Sequence, residues 1–302
     1  MEQNTKRILT YLAITFGITY LFELAVIRPM VYSEDVMMQS IGSSLIVLAM
    51  FMPAIGVLLT RLITKEGFKN AWIVPKNFKK TWKYYLIGYF APSILTILGM
   101  VVYFLVFPNK YDGNMTYLAN LYASQGVEMG TEALMLTMIM QMVIAVFFGA
   151  LLNCITCFGE EWGWRGYLLP KMKEKMPMLP MLLVTGVIWG LWHAPLTCMG
   201  HNYGIGYWGY PVTGILAMCG FCIVMGIIFS YITLRSGSCI PAVLAHGALN
   251  SIAGGAIAFT SDGGNPFVGP APTGIVGASP FIVVAIIMLI ALLKRPESAV
   301  ES

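Results

Sequence analysis

The chain has 302 residues, of which 58% are hydrophobic and only 11% charged, against roughly 45–50% and about 25% in ordinary soluble domains. That balance excludes a water-soluble globule and indicates an integral membrane protein. The formal net charge of +4 does not point to nucleic acid, because the cations lie between apolar runs and form no soluble basic face.

Runs of about 20 apolar residues, each long enough for about 30 Å of hydrocarbon, predict eight transmembrane helices, at 8–27, 41–63, 84–107, 135–158, 179–199, 212–234, 240–258 and 276–293. The expected fold class is an all-α integral membrane protein, since lipid offers no water to unpaired backbone groups. No linker, low-complexity tract or repeat divides the runs, so 1–302 reads as a single polytopic membrane domain. The first run is too long for a signal-peptide core, contains Glu23, ends at Arg28-Pro29 and lacks an Ala-x-Ala-like cleavage site, so it is expected to be a retained helix.

If the N-terminus is cytoplasmic, sixteen of the eighteen Lys and Arg fall inside, in the tails, in 61–83, in 165–175 and at Arg235, and only Arg28 and Lys110 fall outside. The positive-inside rule then predicts a multi-pass protein of the cell membrane with both termini cytoplasmic.

The first three runs carry few chemical signals. Glu23 reads as an isolated acid near the outer interface, beside Arg28. Residues 64–83 interleave Lys65, Lys69, Lys76, Lys80 and Lys83 with Phe and Trp, which suits a segment lying on an anionic leaflet and equally a plain topology-setting loop. Residues 108–132, with Asp112, Glu128 and Glu132, read as an exposed outer loop. Cys154/Cys157 and Cys219/Cys222 form two C-x-x-C pairs within apolar runs, and with Cys198 and Cys239 are expected to be reduced packing residues and not a zinc site.

The organising stretch is Phe158-Gly-Glu160-Glu161-Trp-Gly-Trp164-Arg165-Gly-Tyr. From Ala133 to Gly159 there is no Asp, Glu, Lys, Arg or His, so two carboxylates sit at or inside a hydrocarbon boundary, where ionised groups are costly and usually functional. If the fourth helix continues through Arg165 and turns near Met176-Pro177, Glu160 lies 16 residues before the turn and His193 16 after it. Both are then about 24 Å from the turn and at matching depth. The spacings Gly159-x-x-x-Gly163 and Gly186-x-x-x-Gly190 permit close helix approach. His246 and Asn250 share one face of the seventh helix, roughly 8 and 14 Å from its cytoplasmic end. Three helices can thus place polar groups in one intramembrane cavity, expected to face the cytoplasm.

These groups suit amide hydrolysis without a nucleophilic Ser or Cys. Arg165 stands i+4 from Glu161, the favourable order for an ion pair, which leaves Glu160 as the base that takes a proton from water. His193 can share that water, and His246 with Asn250 can donate to the oxyanion. Glu160, His193 and His246 could equally hold zinc as a two-His, one-carboxylate set. The residues fit either scheme.

In order and spacing, Glu160-Glu161-x-x-x-Arg165, Trp189-x-x-x-His193 and His246-x-x-x-Asn250 resemble the motifs of the CPBP (CAAX protease and bacteriocin-processing, or abortive-infection) intramembrane proteases. The resemblance covers about residues 135–255 and departs from the usual Phe-x-x-x-His by having Trp189. It implies an intramembrane endopeptidase acting on a membrane-presented peptide or protein, which in some members is prenylated. It also implies Glu160 as base, His193 as its water-activating partner and His246 with Asn250 on the oxyanion side. Glu161, Arg165 and Trp189 orient them. Metal-dependent and glutamate-type mechanisms have both been described in the family; the glutamate type, with no cofactor, is favoured here. Two rivals are a non-catalytic scaffold or bacteriocin-immunity protein that binds a partner in the same cavity, and a transporter. Clustering of the polar groups toward one leaflet argues against the transporter.

Overall fold

The computed structural model describes residues 3–295, and among them every regular element is helical. The first helix runs without interruption over Gln3–Val31: α1 (Gln3–Phe22) widens into a π-turn at Glu23–Ile27 and closes as α2 (Arg28–Val31). Asp35 then caps α3 (Val36–Ala49), its side chain accepting from the Met37 backbone N–H at 2.8 Å. α3 and α4 (Met52–Ile63) meet at a 45° bend just before Pro53. α5 (Phe78–Val106) keeps a buried proline, Pro92, inside it, and a short α6 (Thr116–Ser124) precedes α7 (Thr131–Leu152).

Asn153 then breaks the path. α8 (Cys154–Gly163) sets off anew, continues through a π-turn at Trp164–Leu168, and ends in α9 (Leu169–Lys173). α10 (Met178–Trp192) and the single-turn α11 (Ala194–Cys198) follow, then α12 (Val212–Ser236), α13 (Ile240–Ile252) and α14 (Ser279–Lys294). Gly237, with φ +69°, ends α12 in the left-handed conformation that only glycine adopts without cost.

All eight apolar runs are largely helical, yet the count of spans differs from the expectation. Among the described residues, five helices are long and apolar enough to cross a membrane, and the bent α3–α4 pair would make six. α10 and α14 have only 15 and 16 residues. The reason for α10 is local: the chain leaves the helix at His193, where hydrophobicity gives no break. The fourth run is likewise cut at Asn153, whose side chain donates to Ser251 Oγ at 2.6 Å.

Small residues set the tightest contacts, since in lipid helices associate through packing more than through hydrophobicity. A Cβ on Gly190 would come within 2.5 Å of the Cys219 Cα, and one on Gly186 within 2.7 Å of the Ile223 Cα, so this G-x-x-x-G seats α10 on α12. Gly163 does the same for α8 against Pro53 and Tyr11. All six cysteines are free thiols, and four of them are buried.

The loops gather into two faces. On one, Glu66 takes a hydrogen bond from Tyr167 Oη at 2.9 Å and ion pairs from Lys171, from Arg7 at 3.5 Å and from Arg61 at 3.9 Å. The Cys239 N–H, at the α12–α13 turn, donates to the Trp72 carbonyl on this same face at 2.7 Å. On the other, Lys110 pairs with Asp262 at 2.8 Å, and the Asp112 and Tyr117 N–H groups donate to the carbonyls of Phe259 and Thr260.

Burial by itself would raise the Glu66 carboxyl, but the hydrogen bonds from Lys171 and Tyr167 hold it below the usual carboxylate range. A depressed pKa means that ionised Glu66 stabilises the fold above its unfolded value near 4.3, and that this is lost as pH falls through the folded value. Glu66→Gln should therefore cost about 1–2 kcal/mol at neutral pH, read as a lower melting temperature in detergent, and the gap to the unaltered protein should close below about pH 4.

Candidate active site

The site is built on α8, which delivers Glu160 and Glu161 side by side, and on the wide turn after it, which delivers Arg165. Arg165 Nη1 donates to Glu161 Oε1 at 3.0 Å. His246 Nδ1, from α13, reaches the same oxygen at 2.9 Å. Glu161 is wholly buried and Arg165 is 4% exposed, so the pair lies where an unpartnered charge would be heavily penalised. Two aromatic faces also screen the guanidinium, with its Cζ 4.1 Å from the Trp189 ring centroid and 5.3 Å from that of Phe229. The expected i, i+4 ion pair is present, and the structure adds His246 as its third member.

Glu160 is treated differently. Trp189 Nε1 donates to its Oε2 at 2.9 Å, and no described residue donates a hydrogen bond to Oε1. His193 closes α10, and its Nδ1 lies 2.9 Å from the Trp189 carbonyl. A carbonyl only accepts, so Nδ1 carries the hydrogen and Nε2 the lone pair. Trp189 thus touches nearly everything: its ring lies 5.9 Å from that of His193 and 5.6 Å from that of His246.

One cavity of about 150 Å³ joins these groups. Glu160, Trp189, His193, His246 and Asn250 all line it, whereas Glu161 and Arg165 do not. The depth match expected between Glu160 and His193 is consistent with this, and so is the position of the His246–Asn250 face. The Asn250 amide sits 3.8 Å from Cys157 Sγ and is exposed. Among the described residues, no three His, Cys, Asp or Glu side chains are grouped as a metal ion would require.

Three features escaped the sequence. His201, from the loop after α11, also lines the cavity; its signal was only that it is the second of three histidines and follows His193 by eight residues. Met50, at the α3–α4 bend, supplies part of the opposite wall. Glu23 has no ion pair with Arg28 among the described residues. It is fully buried in the π-turn of the first helix, and its carboxyl oxygens have no hydrogen-bond partner among the described residues.

Residues 139–252 match the family model of the type II CAAX prenyl endopeptidases, described as Rce1-like. This stretch contains Glu160, Glu161, Arg165, Trp189, His193, His246 and Asn250, and so bears out the resemblance drawn from the motifs. The chain is also 28% identical over 92 residues to CAAX prenyl protease 2 of Methanococcus maripaludis, an alignment that covers 30% of this chain and 34% of that relative. The similarity therefore spans about a third of the relative's length. With five or more apolar helices long enough to cross a bilayer, the chain is a multi-pass membrane protein.

Removing one member of a buried ion pair costs more than removing both. Arg165→Met alone is expected to lower stability by about 3–5 kcal/mol. Arg165→Met combined with Glu161→Met should recover part of that loss, measured as thermal unfolding of the detergent-solubilised protein.

Proposed function

We infer that the protein is an intramembrane endopeptidase that hydrolyses a peptide bond of a membrane-presented peptide or protein. The observation that carries this reading is the single cavity lined by a carboxylate, two imidazoles and a carboxamide, in a stretch similar to CAAX prenyl endopeptidases. In this reading the free oxygen of Glu160 takes a proton from water, and the His193 Nε2 lone pair holds the second hydrogen of that water. The hydroxide adds to the peptide carbonyl carbon. The Asn250 amide donates to the oxyanion, joined by His246 when its Nε2 bears a proton. Glu160 then returns its proton to the departing amine as the C–N bond breaks.

Glu161 and Arg165 are positioning residues here: they fix His246 from beneath the cavity and need not touch substrate. The reading is of glutamate type and requires no cofactor. It takes the eight apolar runs as crossings, with α10 and α14 completed by the residues that flank them, and both termini as cytoplasmic on the strength of the charge bias. Whether the substrate carries a lipid is an outcome of the assay, not a premise.

Cleavage of candidate membrane peptides by purified protein, followed by mass spectrometry, tests it. Glu160→Ala and His193→Ala should each lose at least about 100-fold in rate, and Glu160→Gln should lose hydrolysis while keeping its melting temperature. Full activity in both alanine variants would overturn the reading. A cellular role undiminished in Glu160→Gln would favour a non-catalytic binding protein instead.

A further inference from the structure

We propose that the polar pocket around Glu66 binds a phosphate group, carried by the headgroup of an anionic lipid or free in solution. The pocket is separate from the cavity at Glu160, and its occupancy does not depend on the endopeptidase reading.

Four parts of the chain meet at one end of the helix bundle to form it. Arg7 comes from the second turn of α1, Arg61 from the last turn of α4, Glu66 and Lys69 from the loop that follows, and Lys171 and Glu174 from α9 and its end. They enclose about 320 Å³, room for a phosphate and its nearest substituents. The loop is fastened along its length: the Gly67 carbonyl accepts from Arg61 Nη1 at 2.6 Å, that of Ala71 from Trp162 Nε1 at 3.1 Å, and that of Trp72 from the Cys239 N–H at 2.7 Å. Walls held in this way lower the cost of ordering on binding.

Donors outnumber acceptors inside. Both oxygens of Glu66 are taken, Oε1 by Lys171 Nζ and Oε2 by Tyr167 Oη. Arg7 Nε, 3.5 Å from Oε2, and Arg61 Nη1, 3.9 Å from Oε1, are near enough for attraction but make no hydrogen bond to the carboxylate. Arg61 is only 3% exposed, yet its Nε has no hydrogen-bond partner among the described residues, and neither has that of Arg7. A buried N–H without an acceptor is costly. The second carboxylate, Glu174, is exposed at the rim and accepts from Asn4 Nδ2. Four cations against two carboxylates leave a formal charge of +2. A phosphate answers both imbalances, because its oxygens accept in several directions, match the fork of a guanidinium and carry negative charge.

The surroundings supply a route for a lipid. Beyond Glu66 the loop continues into the cation–aromatic stretch, where Phe68, Val74, Phe78 and Trp82, each more than half exposed, interleave with five lysines between 68 and 83. Exposed rings beside cations suit the headgroup level of a bilayer. A lipid phosphate at that level is next to the pocket.

Isothermal titration of the purified full chain, in non-ionic detergent, washed free of native lipid and at fixed ionic strength, tests the proposal. The probes are a short-chain phosphatidic acid, the matching phosphatidylcholine and inorganic phosphate. Phosphatidic acid should bind saturably and at least about tenfold tighter than phosphatidylcholine, whose choline offsets the phosphate charge. Inorganic phosphate binding as tightly as the lipid would identify free phosphate as the ligand; binding of the lipid alone would identify the headgroup. Either result supports the site. Lys69→Glu, at an exposed rim position with no ion pair among the described residues, should weaken whichever ligand binds by at least about tenfold, and Lys69→Arg should keep the affinity. Arg61→Gln probes the inner donors, and if it fails to fold the Lys69 variants still decide. Absence of saturable binding by both phosphatidic acid and phosphate, equal binding of the two lipids, or an affinity unmoved by Lys69→Glu would overturn the proposal. Peptide cleavage is not the readout, so failure of the endopeptidase reading would leave this result untouched.

Discussion

Glu161 is the point on which this architecture turns. One carboxylate oxygen, fully buried, holds both the Arg165 guanidinium on its own helix and the His246 imidazole on another. Inside a bilayer such a charge persists only if it is matched at close range, so α8 and α13 must lie in one register. Once they do, Glu160 is carried to the cavity side, because adjacent residues on a helix point in different directions. The acid facing the cavity is placed by the acid that does not face it.

The remaining contacts serve that register. Seats for glycine bring α10 against α12 and α8 against the α3–α4 bend, closely enough for Trp189 to insert between Arg165 and Glu160. The π-turn at Trp164–Leu168 allows Arg165 to reach back to Glu161 while Tyr167 reaches forward to the polar face. At that face Glu66 gathers cations from the first helix, α4 and α9, and so fastens the ends of the helices whose middles frame the site.

Much of this could be read from the chain itself, because burial in lipid makes each ionisable residue conspicuous. Glu160, Glu161 and Arg165 stood out against a run without charge, and their i, i+4 geometry predicted the ion pair that the structure contains. The depth argument predicted that His193 and Glu160 would lie level, because length along an α-helix converts directly to distance. The count of crossings was less legible. Nothing in the hydropathy of 179–199 marks the exit at His193; the break comes two residues before Pro195, which cannot donate a backbone hydrogen bond into a continuing helix. The burial of Glu23 was hidden too: its neighbour Arg28 is close along the chain, but the carboxyl lies inside the protein at the π-turn.

The exchange of phenylalanine for Trp189 in the middle motif carries a consequence beyond shape. An indole can donate where a phenyl ring cannot, and here its single N–H is committed to Glu160. The two oxygens of that carboxylate are no longer equivalent: one is tethered, and the other is left to swing about the tether. In this chain a residue that looks like wall material gives the cavity-facing carboxylate a handedness and, in the proposed role of base, a preferred side from which to accept a proton.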